Sequence, residues 1–223
     1  MHHKPRDVQR LTPVRLLRLL SIAGLGLATP FSIAIEPPIP APVLTLKQQQ
    51  LQALKPLADL IASGESLTAG NYNAANTGRA FDLGKDGLLK VFGKPCEDIT
   101  IGEILDAQQT YRLHAAGRYQ IIGRTMRSAV TWAKLQRSDR FTPTNQDALF
   151  MALLRNKRPL VWSYLTSGHA TQHAAADALS REWASIPYWD NSSYYGYGDQ
   201  AHVPRHIVLS TLTQVRHAFS LFA

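Results

Sequence analysis

The stretch "LADLIASGESLTAGNYNAAN", Leu57–Asn76, changes character at its middle. Its first half repeats apolar residues at helical spacing, with Leu57, Leu60 and Ile61 continuing a run from Leu51 and Leu54. Its second half is glycine, asparagine and small residues, the chemistry of turns. At the changeover stands Glu65, one of five glutamates in 223 residues. The pattern predicts a helix that Pro56 restarts or kinks and that Gly64 stops. A glutamate there meets the negative end of the helix dipole, and beside Leu60 and Ile61 it loses water; both effects raise its pKa. A carboxyl kept neutral near pH 7 is a proton donor, whereas an ordinary one, with a pKa of about 4.3, has already lost its proton. A solvated glutamate at a helix end is the plainer reading of the same position.

Downstream, glycine, asparagine and aspartate recur every few residues from Ser66 to Gly93, and "LLKVF", Leu88–Phe92, is the one run of strand character. This tract predicts loops around a small, irregular β element. Helical pattern returns at Thr100, where Glu103 completes a capping box. It continues through Gly117–Leu135, Thr142–Leu165, Thr171–Ile186 and Pro204–Phe222. The expected fold class is mainly α (α+β), a helical domain with a small irregular β element flanking a cleft.

The length suits one domain and a tail, and 45% hydrophobic residues allow a substantial core. The net charge of +8 is half a tail effect, because residues 1–34 carry five basic groups against one acid. A mildly basic body suits an anionic polymer, wall or nucleic acid alike. Cys96 is the single cysteine, which excludes an internal disulfide and a zinc–thiolate cluster; no metal and no cofactor is expected. Residues 1–34 read as a secretory signal, basic and then apolar, with small residues before a cleavage after Ala34. The alternative is an uncleaved anchor giving inner-membrane association. Residues 35–48 read as a proline-rich linker and 49–223 as the folded domain, exported and periplasmic or secreted.

Four motifs occur in order: "SGES" at Ser63–Ser66, "AAGRYQ" at Ala115–Gln120, "FTPTNQDA" at Phe141–Ala148, and "WASIP" at Trp183–Pro187 followed by "GYG" at Gly196–Gly198. Together they resemble the phage lambda endolysin family, lysozyme-like enzymes that cut peptidoglycan glycan strands. The resemblance covers about residues 55–215. It implies a catalytic domain with Glu65 as the acid and a cleft along Gly117, Arg118, Tyr119 and Gln120. Tyr119 and Gln120 would contact sugar, and Gln146 and Asp147 would be structural at a helix start. Tyr197 would bind substrate or stabilise the developing cation. The implied partner is peptidoglycan rather than nucleic acid, and the protein is expected to be a monomer. "ESLTAGNYNAAN" also resembles bacterial lytic transglycosylases, which adds Asn73 as a substrate contact. The insertion "YWDNSSYY", Tyr188–Tyr195, and the exported N-terminus depart from the phage pattern.

Hydrolysing glycosidases need two carboxylates, about 5–5.5 Å apart for retention and about 6.5–9.5 Å for inversion. The aspartate and threonine of T-even phage lysozymes would fall on Ala74 and Ala80, so their pattern is absent. Asp82 and Asp86 are candidates for a second acid, although "FDLGKDG" is better turn chemistry. One acid suffices for a lytic transglycosylase acting on the β-1,4 bond between N-acetylmuramic acid and N-acetylglucosamine. Glu65 would donate a proton and then remove one, leaving 1,6-anhydromuramoyl ends. A hydrolytic muramidase is the second expectation and a non-catalytic wall-binding or scaffold domain the third. The histidine pairs His169/His173 and His202/His206 read as surface groups, "RNKRP" at Arg155–Pro159 as a solvated helix end, and Trp183 as core. Tyr188, Trp189, Tyr194 and Tyr195 are candidate sugar-stacking faces.

Overall fold

The structure, a computed structural model, describes residues 43–78, 84–196 and 198–222. The expected signal, its cleavage point, Asp82 and Tyr197 lie outside the described residues. Among the described residues are eight α-helices and a small sheet, the expected mainly-α α+β architecture. The helices are α1 (Leu46–Glu65), α2 (Gly87–Phe92), α3 (Ile101–Gln109), α4 (Gly123–Ala133), α5 (Pro143–Asn156), α6 (Pro159–Thr166), α7 (Gln172–Ser180) and α8 (Arg205–Ser220). Strands β1 (Ala75–Asn76), β2 (Ala115–Ala116) and β3 (Ile121–Ile122) pair antiparallel in the order β1-β2-β3. Ala75 lies opposite Ala116, and Ala115 opposite Ile122.

Helix α1 begins inside the stretch read as spacer, because Thr45 and Gln48 form a capping box. It then runs unbroken through Pro56 to Glu65, contrary to the expected restart. An interior proline costs about 3 kcal/mol. Leu54, Leu57 and Ile61 are buried on either side of it, each worth roughly 1.5–3 kcal/mol. Burial of the stripe therefore outweighs the missing hydrogen bond. Gly64 does not stop the helix either; Ser66 caps it, donating its backbone N–H to the carbonyl of Ala62.

"LLKVF" is helical, not a strand. Leu88 is fully buried while Val91 and Phe92 pack against the core, and residues spaced by three and four share one face only in a helix. The sheet uses small and apolar pairs elsewhere. "AAGRYQII" is a β-hairpin rather than the start of a helix, with Gly117 at φ 74° and Gln120 at φ 45° in its turn. A Cβ on Gly117 would meet Gln146 and come within 2.9 Å of Phe141, so only glycine fits. The predicted helix from Thr142 to Leu165 is two helices, α6 restarting with Pro159 in its first turn.

Helices α1, α5, α6, α7 and α8 pack together, and α3, α4 and the sheet complete the body. Tyr119 stacks on Phe150 at 4.4 Å between ring centres, with Trp183 tilted against Phe150 at 5.6 Å. Among the described residues no helix is long and apolar enough to cross a membrane.

Two substitutions test this reading of α1 by urea unfolding. Leu57→Ala should cost about 2–5 kcal/mol, because its side chain is fully buried. Pro56→Ala should raise stability by about 1–3 kcal/mol, since alanine restores the backbone donor in a helix that is already continuous.

Candidate active site

The four motifs meet at the C-terminal end of α1. Ser66, the cap residue, donates its hydroxyl to the carbonyl of Arg118 at 2.6 Å and so ties α1 to the β2–β3 turn. Trp183 donates its indole N–H to the carbonyl of Tyr119 at 3.0 Å and ties the third connection to the same turn. Gln146, in the first turn of α5, accepts from the backbone N–H of Arg118 at 2.9 Å and donates to the carbonyls of Phe141 and Tyr72. Asp147 accepts the hydroxyls of Tyr119 at 2.6 Å and Tyr72 at 3.0 Å. Gln146 and Asp147 are therefore the cross-braces of the knot.

Glu65 is held within it. Its Oε1 accepts from the Ser185 hydroxyl at 2.6 Å and from the Ser185 backbone N–H at 3.3 Å. Ser185 is 3% exposed, and its carbonyl accepts from the backbone N–H groups of His202 and Val203. A Cβ on Gly64 would meet the Ser185 Cβ and lie 2.6 Å from its hydroxyl. Glycine at position 64 is thus what lets the "WASIP" segment approach the acid. Burial raises the pKa of Glu65 above the ordinary glutamate value. The two Ser185 hydrogen bonds oppose that rise, Asp199 adds to it, and His202 lowers it. The net direction is upward.

The acid faces two adjoining cavities. One, of about 330 Å³, is lined by Glu65 with Gln120, Asn76, Glu182, Tyr195 and Asp199. The other, of about 390 Å³, is lined by Glu65 with Ser185, Gly198, Asp199 and His202. Gln120 therefore shares a cavity with Glu65, and its amide donates to the carbonyl of Gly117 at 2.8 Å. Tyr119 also touches that cavity, but it is 1% exposed and its hydroxyl is engaged on Asp147, so it offers wall rather than a hydroxyl contact. Asn73 sits apart from both cavities, its Oδ1 accepting the backbone N–H of Cys96 at 2.8 Å. Asp86 is exposed at the start of α2 and lines neither cavity.

Three polar groups of the site carried no role in the sequence reading. Ser185 lay inside a quoted motif, but nothing in one dimension pairs residue 185 with residue 65. Glu182 is 7% exposed in its side chain and grips Lys157 at 2.8 Å and Arg158 at 2.7 Å. "RNKRP" is therefore not simply a solvated helix end: its two central cations cross-link α5 to the loop after α7. Asp199 is exposed and lines both cavities beside Glu65. In the insertion, Tyr195 reaches the first cavity, while Trp189 is 65% exposed. Arg181 is packed against Tyr188 and Tyr194. The four paired histidines are exposed, and no cluster of three metal-ligating side chains occurs among the described residues.

A family model described as Endolysin matches residues 56–210, well over half of the chain, and the chain belongs to that family. It is accordingly a cell-wall-degrading enzyme whose substrate is peptidoglycan. No curated protein and no solved structure gives a significant match.

Two expected outcomes follow from the grip on Glu65. Gly64→Ala should push Ser185 away, cost about 1–3 kcal/mol of stability, and lower lytic activity at least tenfold, as read by melting and by turbidity of wall suspensions. The raised pKa means the folded state binds the Glu65 proton more tightly than the unfolded state does. Its contribution to stability is complete below the unfolded pKa and is lost as pH rises through the folded one. Glu65→Gln should therefore gain stability relative to wild type as pH rises from the ordinary glutamate range through the elevated pKa, seen as a widening gap in melting temperature.

Proposed function

We propose that this member of the endolysin family cleaves the β-1,4 bond between N-acetylmuramic acid and N-acetylglucosamine as a lytic transglycosylase. The observation that carries the reading is Glu65, its pKa raised by burial, at a cavity wall shared with Gln120. Glu65 gives its proton to the glycosidic oxygen as the C1–O bond breaks. The carboxylate left behind then takes the proton of the muramic acid C6 hydroxyl, and that oxygen closes onto C1. Protons balance, and no water is consumed.

The two Ser185 donors suit this double duty. They favour the charged form while burial favours the neutral one, so the carboxyl is stabilised after it has acted as acid. The Gln120 amide, in the same cavity, would hold the N-acetyl group, and Tyr197, between Gly196 and Gly198 in the sequence, would stabilise the developing cation. Glu182 is a poor second catalytic carboxylate, because Lys157 takes one of its oxygens and Arg158 the other. A lysozyme-like fold is part of the proposal, and so is export. The basic and then apolar segment 1–34 supports a periplasmic or secreted enzyme, cleaved after Ala34 or held at the inner membrane.

Hydrolysis is the second reading, and Asp199 is the observation in its favour. Among the described residues its carboxylate has no side-chain partner, and it stands in both cavities with Glu65, where a water could be activated. A non-catalytic wall binder has no need of a desolvated acid at the cavity wall, which weighs against the third.

Mass spectrometry of the released muropeptides separates the first two. Anhydro ends are expected; reducing ends would give the chemistry to water and Asp199. In a peptidoglycan zymogram Glu65→Gln should remove clearing, by at least about a thousandfold in rate, while Asp199→Asn should stay within a few fold of wild type. The activity should also fall as pH rises through the elevated pKa of Glu65, because the acid is then lost.

A further inference from the structure

A larger cavity, of about 540 Å³, adjoins the one that holds the acid and shares His114 and Ile122 with it. The two differ sharply in charge. The cavity at Glu65 is lined by three carboxyl groups, Glu65, Glu182 and Asp199, with one cation, Lys157, already paired to Glu182. The larger cavity is lined by Arg124, Arg127 and His114, and by no aspartate or glutamate among the described residues. Both arginines are exposed, and neither guanidinium has an acidic partner among the described residues. They lie three apart on α4 and so share a face. No side chain caps the first turn of α4, and that turn contains no acid to neutralise the positive end of the helix.

Gln108 adds an independent feature. It lines the same cavity and is 7% exposed. Its Nε2 donates to the carbonyls of His114 and Ile121, which fixes the amide, and its Oε1 has no partner. A Cβ on Gly123 would stand 3.9 Å from the Gln108 amide carbon and 4.0 Å from Nη1 of Arg127. The same Cβ would come within 3.3 Å of the Gln108 Cβ, so the bare glycine is what lets Gln108 and Arg127 crowd together on one wall of the cavity.

We propose that this basic cavity is a subsite for the peptide stems of peptidoglycan. The free carboxylates of a stem would sit on Arg124 and Arg127, beside the buried, unpartnered Gln108 acceptor. This rests on the glycan-cleaving reading of the neighbouring cavity. In an intact strand each muramic lactyl carboxyl is tied up in the amide bond to its stem, so the glycan itself offers the cations no charge; the free carboxylates are those of the stems. Guanidinium–carboxylate pairs of this kind are the stronger, charge-assisted hydrogen bonds.

The test measures binding of the Glu65→Gln protein, which leaves strands uncut, to intact murein and to murein stripped of peptide by an amidase, with the lactyl carboxylates that the amidase exposes capped as methylamides. Intact murein should bind roughly tenfold more tightly, as expected of one or two charge-assisted hydrogen bonds, and the preference should shrink between 50 and 300 mM salt. Adding Arg124→Gln and Arg127→Gln should abolish the preference while binding to stripped strands stays the same. Each single substitution should remove about a threefold share, which serves if the combined variant melts early. No preference, a preference that survives the substitutions, or an equal loss on both polymers would overturn the proposal; the last would assign the arginines to the glycan. Because the readout is binding, the absence of anhydro products in the muropeptide analysis would leave this result standing, and the reverse holds too.

Discussion

Taking a carboxyl group out of water is costly for its charged form, and the rest of this site is built around that cost at Glu65. The group ends a helix whose apolar stripe packs into the core, which fixes its backbone at the wall of the cavity. Ser185 then supplies two donors, enough to hold the carboxyl in place but not enough to cancel its burial. A stronger partner such as arginine would have made a permanent carboxylate. Glu182, a few residues before Ser185, is instead gripped by a lysine and an arginine.

That arrangement depends on backbone being brought unusually close. Gly64 admits Ser185, and Gly117 admits Gln146; a methyl group at either position would force the segments apart. Through Ser66, Trp183, Gln146 and Asp147, the end of α1, the hairpin turn, the start of α5 and the loop after α7 become one hydrogen-bonded unit. The motifs of the family are therefore mostly its joints. Tyr119 illustrates this: a tyrosine inside a cleft motif whose ring stacks on Phe150 and whose hydroxyl is buried on Asp147.

What was legible in the sequence was whatever is decided locally. The Thr100–Glu103 capping box, the apolar stripe of α1 and the acid at its end are all properties of neighbouring residues. The errors came where distant contacts overrule local preference. Pro56 is tolerated because burial on both sides of it holds the helix, and "LLKVF" is helical because only that geometry sends Leu88, Val91 and Phe92 inward together. The partners of the site were hidden for the same reason. Glu65 and Ser185 are 120 residues apart, and Lys157 and Glu182 are 25 apart. Only the motif order, shared with a known family, hinted that these segments meet.

The most direct measurement of the central claim is the titration of the Glu65 carboxyl itself, by carbon NMR of protein labelled at glutamate. With five glutamates in the chain, and the Glu65→Gln protein for assignment, the resonance can be identified singly. One signal should titrate above the ordinary glutamate range and be missing from the variant. A Glu65 signal that titrates at or below that range would mean the group is a plain carboxylate at neutral pH, and its role as proton donor would fall.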